Sequence, residues 1–165
     1  MELNKIIAAD FENEMTTTRR FFEAISEDVF DFQPHEKSMS FKTLVNHILP
    51  IASWVPGITG ASEFDWSTYE WPEALTNKES IVNTFDEYVT AAKAALSAIT
   101  DEELEEPWTM RNGEKVFFTI PKHAALRNLI ISHVIHHRAQ LGVYLRLNNL
   151  KVPASYVSSA DENLI

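Results

Sequence analysis

Apolar residues fall at steps of three and four along most of the chain. Leu3, Ile7, Phe11, Met15, Phe22, Ile25 and Val29, with Thr18 filling one gap, predict an amphipathic helix from Leu3 to about Val29. Ser38 or Ser40 can cap a second helix carrying Phe41, Leu44, Val45, Ile48 and Ala52 on one face, and Pro56-Gly57 predicts its stop. Pro50 lies inside that helix and cannot donate to the carbonyl of Asn46, so the helix either kinks beside His47 or ends early. Between Gly57 and Leu75 no period is sustained. This stretch is too long for a tight connection and predicts a crossover at the end of a bundle and the wall of a pocket.

Thr76 and Glu79 have capping-box spacing for a third helix with Val82, Phe85, Val89, Ala92, Leu96 and Ile99 inward, closed off by the acids from Asp101 to Glu106. Asn112-Gly113, between short β-prone runs from Trp108 to Phe118, predicts a hairpin. After Thr119 and Pro121 a fourth helix carries Leu126, Ile130, Val134, Leu141 and Tyr144 and runs to about Asn148. The expected fold is therefore all-α, a four-helix bundle with a long crossover and a small β-hairpin before the last helix, in one domain spanning residues 1–165.

Composition narrows the function. Ten Phe and four Trp in a chain that is 45% hydrophobic supply a core without structural staples. With 24 acidic against 14 basic side chains the formal charge is −10, and no Lys/Arg run offsets it, so a nucleic-acid partner is not expected. The absence of cysteine removes disulfides, thiolate metal sites and a cysteine nucleophile, and leaves histidine as the soft ligand. Early acids argue against a signal peptide, and no apolar run approaches membrane-span length, so the expected location is the cytoplasm with no membrane partner.

Following the fourth helix from Leu126 in steps of four and three gives Ile130, His133, His137, Leu141 and Tyr144, which puts two histidines on the inward seam. One turn apart, with a rise of about 6 Å, two imidazoles can converge on one ion. A catalytic site of the zinc type takes three protein ligands. His47, on the inner edge of the second helix with Leu44 and Ile51, is the candidate third, since His35 precedes that helix and His123 lies three turns from the pair. Two readings compete with this set: a His133/His136 pair at three-residue spacing, and histidines that are merely hydrogen-bonded core groups.

Other residues carry weaker expectations. Arg138 has a helix address away from the seam and is expected in a surface ion pair, while Gln140 is expected nearer to His136 than to a ligand. Trp54, Trp66, Trp71 and Trp108 are expected to close a core rather than stack on substrate. No nucleophile elbow or phosphate loop is present.

Asn46-His47-Ile48, then His133-Val134-Ile135-His136-His137-Arg138-Ala139-Gln140, then Val152-Pro153-Ala154-Ser155-Tyr156 resemble the DinB/YfiT-like proteins across essentially the whole chain. The resemblance implies a commonly dimeric four-helix bundle whose three histidines, here His47, His133 and His137, bind nickel or zinc. It also implies a metal-dependent transferase or hydrolase that uses a low-molecular-weight thiol such as bacillithiol on small electrophilic substrates. The alternative is a non-catalytic, metal-binding stress-response bundle. Departures from the family pattern are Ala139 where Gly is common, Asn148-Asn149 where a helix-ending Gly is usual, and Val157; Asn149 must then supply the left-handed cap.

Overall fold

The first amphipathic run folds into α1, Leu3–Glu23, which buries Ile7, Phe11, Met15, Thr18, Phe21 and Phe22. Residues 2–163 are described in the computed structural model. The helix ends six residues before the expected Val29, because Ser26 turns extended and a 3-10 turn over Glu27–Val29 follows. Ile25 and Phe30 are still buried, so their apolar spacing reflects the core and not the helix. No acid lies in the first turn of α1. That role falls to Asp101, whose carboxylate accepts from Leu3 N (2.9 Å) and Asn4 N (2.8 Å).

Ser40 caps α2, Phe41–Ile48, which buries Phe41, Leu44, Val45 and Ile48. Neither proline stops the chain. Leu49–Trp54 tighten into a 3-10 turn and α3 spans Val55–Gly60, with Pro50 and Pro56 at the first positions of these segments, where a missing N–H is not needed. Pro56-Gly57 therefore lies within a helix and does not end one. The crossover then contains a strand that the sequence did not signal, β1 (Glu63–Asp65), too short to show alternation.

Helix α4, Lys78–Ala98, is capped by Asn77, which accepts from Ser80 N, and not by the expected Thr76/Glu79 pair. Its buried face begins at Ile81, one position from the expected Val82, and continues through Phe85, Ala92 and Leu96. A capping box of Thr100 and Glu103 starts the one-turn α5, Asp101–Leu104. Strands β2 (Pro107–Asn112) and β3 (Lys115–Pro121) form the hairpin, with Gly113-Glu114 as its two-residue loop. Gly113 takes φ 57°, as the first position of a mirror-image turn requires. Parallel pairing of β1 with β2 completes a three-stranded sheet in the order β1-β2-β3.

From Lys122 to Leu147 the backbone is helical throughout. It runs as α6 (Lys122–Ala125), a π-helical segment over Leu126–Ser132, and α7 (His133–Leu147). The end is a Schellman closure: Asn149 at φ 57° donates to Arg146 O, and Leu150 N donates to Leu145 O. Helix α1 packs on α4 and α7, α2 packs on α7, and α4 packs on the 49–60 segment, around one contiguous apolar core. Among the described residues no helix is long and apolar enough to cross a membrane.

Candidate metal centre

His47, near the C-terminal end of α2, faces His133 and His137 from successive turns at the start of α7. His47 Nε2 lies 3.2 Å from His133 Nε2 and 3.0 Å from His137 Nε2. All three ligand atoms fall within 4.8 Å of one another. Two nitrogens on one tetrahedral ion, each at about 2.0–2.1 Å, are roughly 3.3 Å apart, so the spacing suits a shared cation.

The hydrogens support the same conclusion. His133 Nδ1 lies 3.2 Å from the carbonyl oxygen of Leu129, and His137 Nδ1 lies 2.7 Å from Oε1 of Gln140. Both oxygens only accept, so each Nδ1 carries the hydrogen and each Nε2 turns a lone pair toward His47. His47 Nε2 has at most one hydrogen to give, which leaves a lone pair unanswered. A divalent cation answers all three at once.

Burial holds the rings in the form that ligates. It pushes His47 down to about 4, helped by the neighbouring His137 and His133. His133 and His137 are also lowered, burial again being the main cause, against smaller raising effects from the Leu129 carbonyl and Gln140. Near neutral pH all three are uncharged.

Aromatic side chains wall the cluster. Trp71 stacks on His47 with ring centroids 6.2 Å apart, and Trp54 stacks on His133 at 5.9 Å. Trp66 stacks in turn on Trp71, and the Trp54 indole donates to the Tyr69 hydroxyl. The expectation of core packing holds for the buried Trp108 but not for Trp71, which is 52% exposed beside the histidines. The crossover is held against the site by Asn46, next to His47. Its side chain accepts from Leu75 N (2.7 Å) and donates to Leu75 O (2.9 Å), pairing with that backbone as a strand would.

Two expectations are corrected. Arg138 is not on the surface: it is 2% exposed, pairs with Glu14 at 2.6 Å, and donates to Glu14 O, Thr18 Oγ1 and the Tyr156 hydroxyl. Its helix address points away from the histidines, but α1 and the C-terminal segment cover that face too. Gln140 contacts His137, three residues back, through Oε1, although His137 and His136, three and four residues away, are both its neighbours on the helix surface. That i+3 spacing was the available signal.

The remaining candidates fall elsewhere. His136 lies edge-on to His137 but is outside the three-nitrogen group. His35 Nδ1 accepts from Lys37 N, and His123 lies 3.6 Å from Glu105. Of the acids between Asp101 and Glu106, Asp101 and Glu103 cap helices and Glu106 pairs with the buried Lys122 at 2.8 Å.

A mostly helical fold with three converging imidazoles between two helices defines the class. The chain belongs to the DinB family, which matches residues 2–163. It is 28% identical over 142 residues to the uncharacterized protein YjoA of Bacillus subtilis (strain 168), spanning 85% of this chain and 87% of that one. A crystal structure of a DinB-like protein from Bacillus cereus superposes with a TM-score of 0.70 at 24% identity, covering 91% of this chain and 95% of that chain. The crystal structure of YjoA gives a TM-score of 0.70 at 22% identity, covering 96% and 99%.

Proposed function

We propose that His47, His133 and His137 bind one divalent metal ion, nickel or zinc, through Nε2, and that the chain is a metal-dependent transferase or hydrolase. The observation that carries this reading is the convergence of three Nε2 atoms while two of the rings have Nδ1 held by oxygen acceptors. The substrate class is a small electrophile, with a low-molecular-weight thiol as cosubstrate.

When bound, such an ion supplies a positive centre that favours the anionic form of a thiol or water at an open position. The protein's own groups orient and enclose. Gln140 and the Leu129 carbonyl fix two ring orientations, and all three ligands are neutral, so nothing in the cluster offsets the cation's charge. Trp54 and Trp71 shield the faces of His133 and His47 from water.

The scaffold reading is one four-helix-bundle domain, formed by α1, the 41–60 segment, α4 and the 122–147 helix with the sheet at one end. Their mutual packing on a single core supports it.

Elemental analysis of tag-free protein beside a His47→Ala/His133→Ala/His137→Ala variant tests the site. About one ion per chain is expected in the wild type only, with a thiolate charge-transfer band when a small thiol is added to the cobalt-substituted protein. Equal, negligible metal in both after reconstitution would overturn the reading.

A further inference from the structure

Between the 3-10 turn at Trp66–Thr68 and the start of α4, Glu70, Trp71, Pro72, Glu73 and Ala74 are exposed and belong to no helix or strand. Among the described residues none forms a hydrogen bond or an ion pair with this arch. A backbone left to water, with few anchors, marks a segment that opens locally at little cost. Its one large side chain is nonetheless laid on the site. The Trp71 ring stacks on His47 at 6.2 Å and on Trp66 at 5.8 Å, and meets Tyr69 edge-on at 5.1 Å.

Both ends of the arch are pinned. At one end Tyr69 N donates to Trp66 O at 3.3 Å, the Tyr69 hydroxyl accepts from the Trp54 indole, and its ring packs against Phe64 and Trp66. At the other, Leu75 gives both backbone groups to the side chain of Asn46, the residue before His47. Asn46 Nδ2 also donates to Lys42 O at 3.0 Å, one turn back on α2, which fixes the orientation of the amide. Pro72 locks its own φ and keeps Trp71 out of the helical region, so the middle of the arch is stiff. Trp71 therefore leaves His47 only when an end gives way. The Leu75 end, where two hydrogen bonds do the holding, gives more readily than the end bedded among aromatic rings.

We infer that residues 70–74 are a gate over the histidine cluster, with Trp71 as the closing group and the Asn46–Leu75 bonds as its latch. Ions and small molecules reach His47 through the open form. The metal's part in this rests on the function proposed above, and the covering of His47 does not.

The test reads access to His47 without any metal. Diethyl pyrocarbonate acylates neutral imidazole, and peptide mass spectrometry of chelated protein gives the rate at each histidine. Asn46→Ala keeps Trp71 but cuts the latch, so carbethoxylation of His47 should rise about ten-fold, the worth of two hydrogen bonds. The exposed His35 is the internal reference and should not change. Trp71→Ala should raise the rate at His47 at least as much, and adding Asn46→Ala to it should do nothing more, because a latch without its gate has no work left. In the cobalt-loaded protein Asn46→Ala should speed uptake and loss of the ion by the same factor at unchanged Kd. Unchanged rates at His47 in both single variants overturn the gate. So does an Asn46→Ala effect that persists undiminished in the Trp71→Ala background, or a Kd shifted through one rate alone, since the amide would then be placing His47 itself. A rise at His47 in protein that takes up no metal keeps the gate while the metal reading fails, and stoichiometric metal with no rise removes the gate alone.

Discussion

Nδ1 of His137 lies 2.7 Å from Oε1 of Gln140, three residues and so a little less than one turn further along α7. This contact does for His137 what the Leu129 carbonyl does for His133: it holds the hydrogen on Nδ1 and leaves Nε2 free to ligate.

Replacing Gln140 with Leu should therefore weaken metal binding about ten- to a hundredfold while leaving the helical circular-dichroism signal intact. Gln140→Glu, which still accepts from Nδ1, should hold the wild-type affinity or exceed it. Competition against a chromophoric chelator measures both. An unchanged affinity in Gln140→Leu would mean that the ring keeps its orientation through packing alone.

Arg138 and Glu14 form a buried pair, with side-chain exposures of 3% and 12%, and the Tyr156 hydroxyl closes over both. Removing one partner strands the other charge. Arg138→Met is expected to cost about 3–5 kcal/mol of stability, and Glu14→Leu in the same background should recover a large part, since two apolar groups leave no uncompensated charge. Urea midpoints of the two single variants and the double variant form the cycle. Additive losses would show that the pair is not the source of the cost.

Helical periodicity made the long elements and the core seam legible, because Leu126, Ile130, Val134 and Leu141 face inward in the structure as their spacing demands. The two seam histidines and His47 were legible for the same reason: a polar group at an apolar address stands out. Elements set by distant partners were not. Asp101 caps a helix that begins 98 positions away, and β1 exists only because Thr109 to Arg111 pair with it. Arg138 was misread because periodicity identifies one buried face, whereas this helix is covered on a second face by α1 and the C-terminal segment. The π-helical turn over Leu126–Ser132 left no pattern, although such turns recur at functional sites and this one ends at His133.

Asn149 holds φ 57° to close α7, where a glycine would adopt that conformation without strain. Asn149→Gly should melt at the same temperature as wild type or higher. Asn149→Val should lose about 1–2 kcal/mol, because a β-branched side chain resists the left-handed region. Thermal unfolding of the two variants decides it, and equal melting temperatures would mean that the closure contributes nothing measurable.

Acid should weaken the metal-free protein through its histidines. An unfolded chain protonates imidazole as pH falls through about 6.5, whereas folded His47 stays neutral until about 4. Between these values the unfolded state binds more protons, so the contribution of His47 is fully present above pH 6.5 and is lost progressively as pH falls toward 4. His133 and His137 are lowered as well and act in the same direction. Carboxylates titrate in the lower part of this window, so the readout is a difference: chelated wild type against His47→Asn/His133→Asn/His137→Asn, by urea midpoint at pH 7.5 and 5. A larger loss in the wild type is expected, since asparagine does not titrate. Parallel losses would show that the rings take up protons in the folded state as readily as in the unfolded one, and that the cluster is not desolvated.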